Sequence, residues 1–145
     1  QTGKPIVTGT PTKWVEEMFE VALEAYKRIE PTLRPGKSSA DSLVAAKFVL
    51  DMGYEYYGGF LQGMLGANPR HEPQIGFDRV QSSEDRFLFD SDGNLSYKPG
   101  LMFTLQVHLF DKPHNRSLFL GDSYVVTKNG ARCLNKVPPQ MFKAK

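Results

Sequence analysis

The sequence predicts an α+β fold, and three observations carry that prediction. The 145 residues are 40% hydrophobic, enough for one globular core. Apolar residues recur at helical spacing through the first third of the chain. From Tyr54 onward they shorten into β-like runs separated by Gly, Pro, Asn and Asp, the pattern of antiparallel strands following a pair of helices.

Residues 1–11 are rich in Gly, Pro and Thr and read as an extended lead-in. Trp14, Met18, Val21, Ala22, Ala25 and Ile29 then define one face of a helix, with Glu16, Glu17, Glu20, Glu24 and Lys27 largely on the other. Thr10 or Thr12 caps its start, and Pro31 with the Arg34-Pro35-Gly36 turn closes it. A second helix opens at Ser38 or Ser39, carries Asp41 in its first turn and Leu43, Ala46, Val49 and Leu50 on its apolar face, and stops at Gly53. Tyr54 to Leu61 predicts a strand kinked at Gly58-Gly59, followed by a long polar loop over 66–83. Phe87–Phe89 and Leu95–Tyr97 flank a turn, and Met102 to Phe110 is the clearest strand. Leu118–Leu120 and Tyr124–Thr127 predict two more, the second running through an Asn129-Gly130 hairpin into Arg132–Leu134.

Charge and composition narrow the function. Eighteen basic and sixteen acidic residues are scattered, for a net charge of +2, with no basic stripe interleaved with aromatics; nucleic acid is not an expected partner. No apolar run approaches a membrane span. One cysteine, Cys133, rules out an internal disulfide and fits a reducing cytoplasm. The chain opens Gln-Thr-Gly without a methionine, so we expect a piece of something longer.

Candidate sites are few. Asp90-Ser91-Asp92-Gly93-Asn94 has turn chemistry and lacks the spacing of a calcium loop. Gly36-Lys37-Ser38 lacks the upstream glycine of a phosphate loop and belongs to a helix cap. His108 alternates along its strand with Gln106 and Phe110, a position usual for a hydrogen-bonded packing residue, and His114 sits in a polar loop. His71-Glu72, in a Gly- and Pro-rich loop, has acid–base chemistry available where loops carry sites.

Four segments, in order, resemble the creatinase / aminopeptidase P / Xaa-Pro dipeptidase family of pita-bread hydrolases: PTLRPGKSSADSL, QGMLGANPRHEP, YKPGLMFTLQVHLF and LGDSYVVTKNGARCLNKVP. The likeness covers about residues 12–138 and implies the C-terminal half of the catalytic domain, two helices backing a curved antiparallel sheet, with 139–145 as a tail. In the peptidase members the resemblance implies a dinuclear metal centre whose bridged metals activate a water. Carried over position by position, the family's ligand histidine falls at or near Gln62, one ligand glutamate on Gln106 and the final ligand glutamate on Gly121; the two ligand aspartates belong upstream of this chain. His71 and Glu72 match the substrate-side pair.

Carboxylates assemble dinuclear sites because their charge offsets two divalent cations, and neutral amides do so poorly. The expectation is therefore a creatinase- or Xaa-Pro-peptidase-like hydrolase domain without its dinuclear centre and with no cofactor. His71 and Glu72 are then the catalytic candidates, and Gln106 and His108 would contact a peptide or small amide. The alternative is a non-catalytic module binding a peptide or protein. Half a pita-bread core leaves an open sheet edge and an uncovered cleft, so a second copy or an N-terminal portion is the expected partner.

Overall fold

The protein is described by a computed structural model covering residues 2–56, 60–63, 74–75 and 94–144. His71, Glu72, the glycine pair at 58–59, Phe87–Phe89 and the Asp90–Gly93 part of the turn lie outside the described residues.

Helix α1 spans Lys13–Ile29 and buries Met18, Val21, Ala22, Ala25, Tyr26 and Ile29, the i, i+3, i+4, i+7 stripe that its sequence periodicity predicts. Thr12 is the capping position, but its side chain makes no capping bond; its carbonyl takes the first helical amides, from Val15 (3.0 Å) and Glu16 (3.2 Å). Pro31 lies in a 3-10 turn, Glu30–Thr32, that ends the helix. The second helix begins with a full capping box: the Ser38 side chain accepts from Ala40, and the Ser38 amide donates to Asp41 Oδ2 at 2.9 Å. Where one helix to Gly53 is predicted, two short ones form, α2 (Ser39–Ala46) and α3 (Phe48–Asp51), meeting at Lys47. Gly53 closes α3 with φ +83°, a left-handed conformation that favours glycine.

The strands are β1 (Thr2–Gly3), β2 (Ile6–Thr8), β3 (Glu55–Tyr56), β4 (Leu61–Gly63), β5 (Gln74–Ile75), β6 (Met102–Asp111), β7 (Arg116–Thr127), β8 (Gly130–Cys133) and β9 (Phe142–Ala144). The main antiparallel sheet runs β1-β7-β6-β4-β5, with β3 also on β6 and β8 also on β7; β2 and β9 form a separate parallel pair. Two expectations are corrected. The predicted strands Leu118–Leu120 and Tyr124–Thr127 are one continuous strand, because Gly121 and Asp122 pair on both sides, with Gln106 and Leu105 of β6 and with Gly3 and Thr2 of β1. Gln74–Ile75, inside the predicted loop, pairs with Leu61 and Gln62. The lead-in and the tail are also structured: the first contributes β1 to the main sheet, and β9 of the second pairs with β2.

Helix α1 packs across β6 and β7. Against it the sheet turns Phe103, Leu105, Val107, Leu109, Leu118, Leu120, Tyr124 and Val126, all buried. Each such side chain contributes about 1.5–3 kcal/mol on burial, so this face holds the layers together.

Candidate functional site

Strand alternation decides what lies on the other face. In β6, Phe103, Leu105, Val107 and Leu109 point toward α1, which leaves Thr104, Gln106 and His108 on the side away from the helices. The β6–β7 register sets Thr104 across from Ser123, Gln106 across from Gly121 and His108 across from Phe119. Position 62 of β4 lies directly across from Thr104 on the opposite side of β6. Positions 106 and 121, which are far apart in sequence, therefore lie side by side on one face, and the register places position 62 on the next strand, across from Thr104.

The chemistry of this face is neutral at every described position of the central pair. Thr104 and Ser123 are buried, and Gln106 is half-buried with its backbone amide donating to the Phe60 carbonyl at 2.9 Å. The Ser123 amide donates to Asn135 Oδ1 at 2.8 Å, and the Leu134 amide donates to the Ser123 carbonyl at 2.8 Å, so the chain beyond β8 folds back onto this end of β7. His108 meets Phe119 edge-on, with ring centroids 5.5 Å apart and planes at 89°. Burial lowers the His108 pKa below its ordinary 6.5, so its imidazole is neutral at pH 7. His114 is not part of this face; it is exposed and bonds Asp111 at 2.9 Å in the turn after β6.

The one carboxylate of this stretch of β7 points the other way. Asp122 is fully buried beneath α1; it pairs with the Lys4 ammonium and accepts from Thr2 Oγ1 (3.0 Å) and the Tyr26 hydroxyl (2.9 Å). The Tyr26 and Tyr124 hydroxyl oxygens lie 2.5 Å apart and the Tyr124 hydroxyl lies 3.0 Å from Glu30 Oε1, so two phenol protons are shared among these contacts and Asp122. Burial pushes both tyrosines well above the usual phenol range, which keeps them neutral donors. Sequence reasoning missed this network, although its signal was present: Asp122 interrupts an otherwise apolar period-two series, Leu118, Leu120, Tyr124, Val126. Among the described residues, no group of three or more His, Cys, Asp and Glu side chains converges as a metal site.

Comparison with known proteins places the fold in a family. Residues 3–128 match the profile of metallopeptidase family M24. The Xaa-Pro dipeptidase of Pyrococcus horikoshii is 24% identical over 141 residues, covering 96% of this chain and 36% of that protein. A dipeptidase crystal structure from the same organism superposes with a TM-score of 0.76 at 21% identity, over 99% of this chain and 36% of that one. The X-Pro aminopeptidase of Thermotoga maritima gives 0.73 at 19% identity, over 99% and 37%. The chain thus spans about a third of the length of these relatives, and the structural likeness shows the fold, half of a pita-bread core with helices backing an antiparallel sheet. With most of its length matching one family profile and its strands in that family's arrangement, the chain belongs to metallopeptidase family M24.

Proposed function

We propose that this chain forms the ligand-binding half of an M24 hydrolase site that has lost its dinuclear metal centre. The observation that carries the reading is the Gln106–Gly121 register pair: the two positions that the family resemblance assigns to ligand glutamates face each other and together offer one neutral amide. Asp122, the neighbouring carboxylate, is committed to Lys4, Thr2 and Tyr26 on the opposite face. Two divalent cations need anionic donors to offset their charge, and this donor set does not fit them.

The ligand class follows from the relatives, which are named as Xaa-Pro dipeptidases and an X-Pro aminopeptidase: a peptide or small amide. His71 and Glu72 supply the acid–base chemistry for any C–N hydrolysis, with Gln106 and His108 contacting the ligand. The neutral His108 ring donates or accepts one hydrogen bond without adding charge. A second copy of the chain, or an N-terminal portion carrying the other half of the cleft, completes the site. The second reading, a non-catalytic peptide-binding module, is favoured by Gln106 in particular, because creatinase's metal-free route uses a glutamate where this chain has an amide.

Metal content of the purified full-length protein, together with turnover on Xaa-Pro dipeptides and creatine-like amidines, tests both. The expected result is no stoichiometric metal and no loss of activity with chelator. His71→Ala should abolish whatever turnover exists. Bound metal at one or two equivalents, or chelator-sensitive Xaa-Pro cleavage, sinks the proposal; peptide binding without turnover selects the non-catalytic module.

A further inference from the structure

The space above Gly121 is filled. A Cβ built on Gly121 would lie 2.9 Å from Phe119 Cζ and 3.1 Å from the Leu105 carbonyl oxygen. A Cβ on Gly3, the register partner of Gly121 on β1, would lie 2.0 Å from Phe119 Cε1 and 2.3 Å from Cδ1. Carbon atoms pack at about 3.5–4.0 Å, so the Phe119 ring rests on both glycines and must shift to admit a side chain at either. The ring also meets the His108 imidazole, its cross-strand partner, at a near-perpendicular angle. The ring thus contacts two glycines and one imidazole.

We infer that Phe119 closes the metal position by packing: its ring fills the volume through which a carboxylate at position 121 would reach the cleft face. This rests on the reading that the dinuclear centre is lost, and it adds that the loss is locked by a neighbouring residue. Replacing Gly121 by glutamate is then not a one-residue reversal, since the ring must move aside, while the Leu105 carbonyl oxygen at 3.1 Å needs to give by only a few tenths of an ångström. The Gly3, Gly121, Phe119 and His108 positions form one packing unit that substitutes for a donor site.

The test uses two measurements on the full-length protein. Gly121→Ala should lower Tm by roughly 3–10 °C in the native background. Added to Phe119→Ala, the same change should lower it by about 1 °C or less, since the obstructing ring is gone. Gly3→Ala should follow the same dependence, which keeps the cycle readable if Gly121→Ala does not fold. In parallel, Co(II) binding is read by absorption for the Gln62→His/Gln106→Glu/Gly121→Glu variant with and without Phe119→Ala. The variant lacking the ring should bind at least about tenfold more tightly, a difference set by ring access to three donors. Equal glycine-to-alanine losses in both backgrounds, or Co(II) affinity that is the same with and without the ring (absent in both included), overturns the inference and leaves the metal-loss reading standing. Stoichiometric metal in the unmodified protein removes that reading itself.

Discussion

Replacing Lys4 by methionine should be among the most damaging single changes in the lead-in. The substitution keeps the aliphatic stem and removes only the ammonium that pairs with Asp122. That carboxylate is fully buried and the Lys4 side chain is 8% exposed, so little water can reach the charge left behind. Removing one partner of a buried pair costs about 3–5 kcal/mol because an uncompensated charge remains. Thr2 and Tyr26 still donate to Asp122, which places the loss near the low end, about 3 kcal/mol, or a fall of roughly 6–12 °C in Tm. Thermal and urea unfolding of Lys4→Met, Asp122→Asn and the double variant measure it. If the stranded charge is the cause, Lys4→Met/Asp122→Asn should be more stable than Lys4→Met alone, because the second change neutralises the carboxylate. A Lys4→Met loss of under about 1 kcal/mol, the size expected of an exposed pair, or a double variant no more stable than Lys4→Met, refutes the argument.

Three further outcomes follow from the same contacts. Tyr26, Tyr56, Tyr97 and Tyr124 are all raised from the ordinary 10.0, chiefly by burial. Above that pH the unfolded chain sheds protons that the folded chain keeps, so stability should fall as pH rises past about 10. Absorbance at tyrosinate wavelengths should show these rings ionising only with unfolding, and independent titration near their ordinary value in the folded state would contradict it. Ser38→Ala removes the side-chain half of the capping box on α2 and should cost about 1 kcal/mol by urea unfolding, against no measurable loss if the cap is idle. His108, lowered from 6.5 by burial, should show an NMR titration midpoint below that value. The unfolded chain takes up a proton there more readily than the folded one, so its contribution to stability is lost as pH falls below 6.5.

How much of this was legible in the sequence depends on the range of each signal. Helix α1 was readable because its stripe is repeated over seventeen residues, and the Ser38 cap because Asp41 stands three residues on. The division of the second helix at Lys47 was not, since nothing in the local composition marks it. The continuity of β7 was hidden for a different reason: Gly121-Asp122 has the composition of a turn, and only pairing with both β1 and β6 keeps it extended. The pairing of Gln106 with Gly121, and of position 62 with Thr104, rests on the family resemblance for its choice of residues and on register for its geometry. The Phe119 ring over Gly3 was beyond sequence reasoning, because it joins residues 116 positions apart through a side-chain rotamer.

Strand β7 also separates the positions that the proposed ligand loss concerns from those that hold the fold. Its even-numbered residues from Leu118 to Val126 face α1 and carry both the apolar core and the Asp122 network. Its odd-numbered positions, Phe119, Gly121 and Ser123, lie on the cleft face. Because the side-chain period is two, a substitution at 121 leaves the burial at 120 and 122 untouched. The same holds on β6, where Gln106 sits between Leu105 and Val107, both completely buried. Selection on the cleft is thereby separated from selection on the core, and carboxylates can be exchanged for an amide and a glycine at little cost to stability. The exchange is harder to reverse at 121 than at 106. At 106 the position already carries a side chain of glutamate's length, whereas at 121 a side chain meets the Phe119 ring that rests on two glycines. On the proposed reading, a carboxylate at 121 therefore needs two changes, and the intermediate with glutamate at 121 beside an unchanged Phe119 is the strained one.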